Sequence, residues 1–350
     1  MKIEWEKFLE NAGAEFVDEK VDSFGNPAQE RRIIHTGNTI CDLSHYGLIS
    51  AYGEDAVNFL QGQFTNDIAQ VDESHSQLSA YCNPKGRMIA NFRIFKRDDT
   101  LYLSLPYPLL ETVLNRLRMY VMRSKVTLQD ASDALMRFGL NGPQAEKQLI
   151  DITGIVPTEI NQAVQYNGYT IIRIPGSEAR YEIYGLLDAV TRLWQNLDVD
   201  AAPVGAHIWE LLNIQAGIPV IVSETSEAFV PQMANMSSLG AINFKKGCYT
   251  GQEIVARMHY LGKLKKRMYR IAFENHKAPK PGDAIFTENT TAGSGTGTIV
   301  SVEQADEGCY EALAVIQIAN AENQPLRLYN ASGPLIKILE LPYAFDNAEA

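Results

Sequence analysis

The chain has 350 residues, of which 45% are hydrophobic, 21% charged and 9% aromatic, and its formal net charge at pH 7 is −11. This length exceeds that of one typical domain, so two or three domains are expected. The acidic excess argues against a dedicated DNA- or RNA-coating protein, because neutralising phosphates requires clustered lysine and arginine.

Membrane insertion and export are not expected from the sequence. No apolar run reaches the roughly 20 residues that a membrane helix needs, and the charged N-terminus lacks the apolar core of a signal peptide. The cysteines Cys41, Cys82, Cys248 and Cys309 lie far apart, without a C-x-x-C pair. Such scattered thiols are typical of reduced proteins. We therefore expect a cytoplasmic protein that makes no membrane contact and holds no metal site.

The first part of the chain predicts a mixture of helices and antiparallel strands. Ile3, Trp5, Phe8 and Leu9 indicate a short amphipathic N-terminal helix. The following patterns predict a strand or strand pair over 40–52, a helix over 53–60, a β-meander over 77–105, a helix over 109–122 and a strand near 125–128. Turn residues punctuate the meander at Asn83–Gly86 and Asp98–Asp99.

The middle of the chain repeats this order of elements, and the C-terminal part departs from it. Strands are predicted at 134–140, 164–166, 169–174 and 181–184, with helices at 142–150, 186–197 and 203–216. These units predict α+β subdomains of ferredoxin-like type. Beyond about Lys265, short strand patterns alternate with Pro-, Gly- and Asn-rich turns and no helix pattern is evident, which predicts a small all-β domain.

The most specific segment is Asn243–Glu253, with the sequence NFKKGCYTGQE. It resembles the signature K-G-C-Y-x-G-Q-E of the YgfZ family. The matching residues are Lys246, Gly247, Cys248, Tyr249, Gly251, Gln252 and Glu253. Weaker similarity extends from about residue 40 to 340, through segments 59–67, 85–87, 212–220 and 231–235.

The resemblance implies a fold as well as a family. The family shares the fold of the glycine-cleavage T-protein, with interleaved ferredoxin-like α+β subdomains followed by a β-barrel around a folate channel. On this basis we expect a folate-binding α+β region at 1–242, the signature and its helix at 243–262, and the barrel at 263–345. The implied cofactor is tetrahydrofolate or a derivative.

The resemblance also suggests which residues hold the folate. Trp209 and Tyr46 match positions whose rings could stack on the pterin, although core aromatics are the alternative. On the strand 88–94, T-protein-like enzymes carry a catalytic acid where this chain has Ala90 and Asn91. Asn91 can hydrogen-bond a pterin but cannot act as a general base, and Gln215 stands where folate-binding relatives commonly have glutamate.

Cys248 is the candidate reactive residue, and the neighbouring Lys246 would favour its thiolate. Its role could be redox chemistry, transient bonding to a one-carbon unit, or ligation of iron with a partner; a buried structural cysteine is the alternative. Tyr249, Gln252, Glu253 and Arg257 would order the loop, although Glu253 and Arg257 could simply form an i,i+4 ion pair. A basic cluster follows at Lys263, Lys265, Lys266, Arg267 and Arg270.

Three functional hypotheses follow from these patterns. The first is a folate-binding protein that supports the maintenance or repair of iron–sulfur enzymes, with iron–sulfur proteins or their assembly machinery as partners. It would affect tRNA modification only indirectly and need not have an enzymatic turnover of its own. The second is a folate-dependent one-carbon transferase. The third is a protein that binds tRNA directly, which the acidic composition disfavours.

Overall fold

The computed structural model describes residues 1–288 and 295–345. The chain forms two compact units whose segments alternate along the sequence. Unit 1 comprises Met1–Phe59, Ile68–Gln77 and Phe92–Trp209, and unit 2 comprises Leu60–Asp67, Leu78–Asn91 and Glu210–Ala350. The sequence-based division at residues 242 and 262 follows different boundaries and stays a prediction.

A six-stranded sheet forms one part of unit 1. Its order is β10-β11-β12-β9-β3-β13, from the strands β3 (Asn38–Asp42), β9 (Met136–Gly142), β10 (Ala163–Tyr166), β11 (Tyr169–Ile174), β12 (Ala179–Gly185) and β13 (Ala201–Val204). The edge strand β13 is parallel to β3, whereas the other pairs are antiparallel. The helices of this part are α1 (Ile3–Asn11), α2 (Pro27–Ile33), α5 (Ala145–Thr153) and α6 (Leu187–Leu197), and a hairpin joins β1 (Glu15–Val17) to β2 (Lys20–Ser23).

The predicted N-terminal helix is confirmed, and α1 packs into the core of unit 1. The Trp5 ring lies edge-on to that of Trp194, with 5.6 Å between centroids, and Phe138 approaches Trp194 at 5.4 Å. The indole N–H of Trp5 donates a 2.7 Å hydrogen bond to the buried Asp42 carboxylate. This bond satisfies the one polar group that Trp5 brings into the core.

A second sheet has the order β5-β6-β7-β4-β8. Its strands are β4 (Tyr46–Tyr52), β5 (Gln77–Cys82), β6 (Met88–Arg97), β7 (Thr100–Pro106) and β8 (Thr127–Asp130), and it is accompanied by α3 (Ala56–Gln61) and α4 (Tyr107–Met119). The strands β4, β7 and β8 belong to unit 1, whereas most of β5 and the first four residues of β6 belong to unit 2. The β-meander predicted over 77–105 is confirmed by β5, β6 and β7.

The C-terminal strands of unit 2 close into a barrel of order β14-β17-β16-β15-β18-β19. These strands are β14 (Lys266–Glu274), β15 (Ala284–Thr287), β16 (Gly297–Asp306), β17 (Cys309–Gln317), β18 (Leu326–Leu328) and β19 (Leu335–Leu339). Tyr269, Ile271 and Phe273 of β14 point into the barrel core, as the two-residue period of a strand requires. The helices α7 (Ala206–Gln215), which begins in unit 1, and α8 (Gln252–Tyr260) precede the barrel.

Two sequence-based predictions were wrong. The helix predicted over 203–216 begins only at Ala206, because residues 201–204 form β13. Pro203 is tolerated there, since an edge strand need not donate every backbone N–H. The C-terminal part also contains a helix, α9 (Ile318–Asn323), which has no buried residue and therefore no apolar stripe to detect.

Among residues 1–288 and 295–345, none of the helices combines the length and the apolar character required to cross a bilayer. The cytoplasmic location expected from the sequence stays a prediction.

Gly139 of β9 is a position where unit 1 has no room for a side chain. A Cβ there would lie 2.3 Å from the Trp209 ring, so Gly139→Ala forces the ring or the strand to move. We expect Gly139→Ala to lower the unfolding free energy by about 1–3 kcal/mol. Gly247→Ala is the control, because a Cβ at Gly247 meets nothing within 4 Å. Equal melting temperatures for the two variants would contradict this account of the packing.

Candidate functional site

The signature segment leads into α8 through a tight backbone contact within unit 2. Gly251, at the N-cap of α8, has φ of +84°, and a Cβ there would lie 2.5 Å from the carbonyl oxygen of Asn83. Gly86 has φ of +68°, and its Cβ would lie 2.9 Å from that of Ile254. The turn at Lys85–Arg87 and the turn of the signature therefore pack backbone against backbone. This close approach explains why Gly86 and Gly251 have no side chain.

Lys246 fixes the signature segment to the chain around residues 61–66. Its ammonium group donates hydrogen bonds to the carbonyl oxygens of Gln61 (2.7 Å), Phe64 (2.6 Å) and Asn66 (2.8 Å). These bonds use all three N–H groups of a lysine. Burial lowers the pKa of Lys246 to about 8, and the Asp67 carboxylate opposes that change. Lys246 remains mostly protonated at neutral pH, where it connects the two segments.

This contact extends beyond Lys246. The Thr65 hydroxyl donates a 2.8 Å hydrogen bond to the carbonyl oxygen of Ala241, and the Asn66 amide donates one of the same length to Gly240. The backbone N–H of Asn243 in turn donates to the carbonyl of Thr65 at 3.0 Å. The segment 61–66 and the signature, about 180 residues apart in sequence, thus form one hydrogen-bonded surface of unit 2.

Cys248 is an exposed free thiol on this fixed loop. The next residue, Tyr249, is buried, which raises its pKa, and its ring lies 5.2 Å from the Lys246 nitrogen. Cys82, on β5, is also buried, and burial raises the pKa of its thiol to about 12. Of these two thiols, only Cys248 is therefore accessible to a reagent or partner.

The hydrogen bonds of Lys246 bear on one expectation about Cys248, which stays a prediction. Lys246 was expected to promote the thiolate, but its three N–H groups are all directed at carbonyl oxygens. Lys246 therefore acts on the loop conformation, and no N–H group remains for a hydrogen bond to the Cys248 sulfur.

The remaining signature residues occupy the first part of α8. The carbonyl of Val255 accepts a 2.6 Å hydrogen bond from the buried Gln232 amide, which anchors the helix. Glu253 and Arg257 are both exposed, and in the part of the chain that the structure describes no ion pair joins them. The sequence did not reveal that Phe244 stacks on His259, with 3.7 Å between ring centroids.

Trp209 and Tyr46, the two predicted stacking rings, belong to unit 1. Trp209 is only 2% exposed, with the Arg180 guanidinium 4.2 Å from its ring. Tyr46 is half-buried, its ring lies 4.6 Å from that of His45, and its backbone carbonyl accepts from Arg137. Tyr46 therefore retains accessible surface, whereas Trp209 is enclosed by protein.

Asn91 and Gln215, the two predicted polar contacts, belong to unit 2. The Asn91 amide donates to the carbonyl of Pro219 (2.8 Å) and accepts from the N–H of Ile221 (3.0 Å). Asn91 therefore fixes the loop after α7. The Gln215 amide donates to Glu311 at 3.4 Å, and Gln215 remains partly exposed.

Comparison with known proteins identifies the family. A family model described as the GCVT N-terminal domain matches residues 7–246. The chain is 31% identical over 313 residues to the "tRNA-modifying protein YgfZ" of Klebsiella pneumoniae (strain 342), covering 89% of this chain and 94% of that relative. The protein of the same name from Cronobacter sakazakii (strain ATCC BAA-894) is 31% identical over 311 residues, with the same coverage of both chains. The chain belongs to the YgfZ family.

A solved structure shows how this YgfZ-family chain is folded. The crystal structure of the glycine cleavage system aminomethyltransferase T from Bartonella henselae superposes with a TM-score of 0.76 and covers 96% of each chain. The sequence identity is 16%, so the likeness establishes the fold. The predicted family and the predicted T-protein fold are both confirmed.

Metal binding has no support among the side chains described here. Within residues 1–288 and 295–345, no group of three or more histidine, cysteine or acidic residues is placed to hold a metal ion.

Removing the Lys246 ammonium tests its structural role. Lys246→Met leaves three carbonyl oxygens without their donor, and we expect a loss of about 2–4 kcal/mol in unfolding free energy. Lys245→Met is the matched control, since Lys245 is the exposed neighbour and should change stability by less than about 0.5 kcal/mol. The measurement is denaturant unfolding at pH 7, and indistinguishable midpoints for the two variants would refute the role.

Thiol labelling tests the accessibility of Cys248. With an aromatic disulfide reagent we expect one fast reaction that Cys248→Ser removes, because the thiol is exposed. The partly exposed Cys309 should react more slowly, and Cys309→Ser is the control. Cys82 should react only after unfolding, even at pH 9, because burial raises its pKa to about 12. A fast phase that survives Cys248→Ser would contradict this assignment.

Proposed function

We propose that this YgfZ-family protein binds a tetrahydrofolate and uses Cys248 to support the assembly, maintenance or repair of iron–sulfur enzymes. The observation that carries the proposal is an exposed thiol on a loop that Lys246 and two glycine turns hold in place. A fixed loop conformation around an accessible nucleophile suits contact with a partner protein. The relatives are named tRNA-modifying proteins, and we propose that the effect on tRNA is indirect.

The proposal disfavours aminomethyl transfer, although the fold is that of an aminomethyltransferase. The expected acidic position on β6 is occupied by Ala90 and Asn91. An amide neither accepts a proton as a general base nor stabilises a developing cation by charge. The Asn91 amide is also engaged by the backbone of Pro219 and Ile221. One-carbon transfer therefore remains the second candidate function, favoured by the fold alone.

The residues of the two units differ in how well they suit a folate. In unit 2, Gln215 is partly exposed and offers an acceptor to a pterin, and Asn91 keeps one N–H and one lone pair beyond its loop contacts. In unit 1, Tyr46 offers accessible aromatic surface. Trp209 is enclosed, so we assign it a supporting role beneath Arg180. A bound tetrahydrofolate would supply a carrier for one-carbon units.

The basic cluster at residues 263–270 gives little support to direct binding of tRNA. Arg270 of the basic cluster is paired with Glu311 at 2.7 Å. Arg267 is buried with its guanidinium 3.9 Å from the Phe345 ring. Lys263 and Lys265 are exposed, and two exposed lysines on a chain of net charge −11 make a weak phosphate-binding surface.

Two measurements on the Cys248→Ser variant test the proposal. Calorimetry should show saturable tetrahydrofolate binding by both wild type and Cys248→Ser, because the thiol acts on a partner and not on the folate. In cells that lack their own family member, wild type should restore the activity of an iron–sulfur tRNA-modifying enzyme and Cys248→Ser should not. Cys309→Ser is the control and should restore it fully.

Each part of the proposal fails on a different result. Wild type that binds no reduced folate removes the folate from the function. A Cys248→Ser variant that restores activity as well as wild type removes the thiol. Catalytic formation of methylene-tetrahydrofolate from an aminomethyl donor would establish the transferase in its place.

A further inference from the structure

Glu311 of β17 carries a partly buried carboxylate to which neither the signature nor the transferase fold assigns a role. Its side chain is 15% exposed and pairs with Arg270 of β14 on the outside of the barrel. Both the Nε and the Nη2 of Arg270 contact the same carboxylate oxygen, Oε2, at 2.8 Å and 2.7 Å. Glu311 is thereby held in one orientation, and its other oxygen, Oε1, points to Gln215.

The carboxylate determines which way the Gln215 amide faces. A glutamine amide has a donor end and an acceptor end of nearly equal shape, and its neighbours decide between the two orientations. An ionised carboxylate only accepts hydrogen bonds, so the end of Gln215 that meets Glu311 must be the NH₂ group. The Nε2 of Gln215 lies 3.4 Å from Glu311 Oε1, and its Oε1 is turned away.

Gln215 is partly exposed at a rigid position. From Leu211 to Val220, Gln215 is the single residue that is not buried. In the described part of the chain, its Oε1 has no hydrogen-bond partner. The turn that follows is fixed by the Tyr343 hydroxyl, which donates a 2.8 Å hydrogen bond to the carbonyl of Gly217. A side chain on a backbone held in this way loses less conformational entropy when a ligand binds.

We propose that Arg270 and Glu311 are positioning residues that present the Gln215 oxygen as a neutral acceptor for an N–H edge of the ligand. The ligand class is an aminopyrimidinone such as the pterin of tetrahydrofolate, so the proposal rests on the proposed function. Where the family resemblance leads us to expect a glutamate in contact with the ligand, this chain has the amide of Gln215, oriented by Glu311. The negative charge lies on Glu311, and Arg270 neutralises it. In this relay the Glu311 carboxylate acts on the ligand only by orienting the Gln215 amide.

A swap of the two side chains distinguishes this relay from a structural role. Glu311→Gln removes the preference between amide orientations, and Gln215→Leu removes the acceptor. Each should weaken tetrahydrofolate binding by about three- to tenfold, which corresponds to one hydrogen bond. Gln215→Glu alone places two carboxylates together and should weaken binding at least as much. The double variant Gln215→Glu/Glu311→Gln restores a donor facing an acceptor and should recover wild-type affinity.

The control is Glu288→Gln, which removes the carboxylate from another Arg–Glu pair of the barrel, the 3.0 Å contact between Arg327 and Glu288. It should leave the affinity unchanged. Melting temperatures establish that each variant is folded, and the double variant provides the test if Glu311→Gln alone does not fold.

The outcomes separate this proposal from the function on which it rests. Tetrahydrofolate binding by wild type that Glu311→Gln leaves unchanged overturns the relay and leaves the proposed function intact. A double variant that binds no better than either single variant also overturns it. Wild type that does not bind any reduced folate overturns the proposed function and the relay together.

Discussion

The ammonium group of Lys246 is the interaction on which the signature surface of unit 2 depends. It reaches three carbonyl oxygens around residues 61–66 from the signature side. A hydrogen bond from a charged donor is stronger than one from a neutral donor, so the three bonds hold the two segments together firmly. Burial lowers the pKa of Lys246 to about 8, so the charged donor is present at neutral pH and is lost as the pH rises above about 8.

The side chains that the family resemblance singled out divide into two groups. Lys246, Asn91 and Trp209 are occupied by the protein itself, through carbonyls, the loop after α7 and the Arg180 guanidinium respectively. Cys248 and Gln215 remain open to other molecules. A signature can therefore record the requirements of a loop conformation as well as those of a reaction. The motif lysine belongs to the first kind, whereas its cysteine is exposed.

A transferase fold without its acid can still serve as a binding protein. The chain keeps the architecture of an aminomethyltransferase, while β6 offers an amide where a carboxylate would be required for proton transfer. The carboxylate near Gln215 is that of Glu311 on β17, and Arg270 neutralises it. A binding or carrier role makes fewer demands on charge than a chemical step does.

The sequence by itself determined the family, the T-protein fold and most of the elements, because seven signature positions and long hydrophobic periods are local properties of the chain. It missed α9, whose six residues bury nothing, and it misassigned the first residues of 203–216 because Pro203 lies on an edge strand. The hydrogen-bond partners were decided only by tertiary structure. Lys246 meets carbonyls 180 residues away, and Gln215 meets Glu311 across 96 residues. No local pattern encodes such distances, since folding alone brings those groups together.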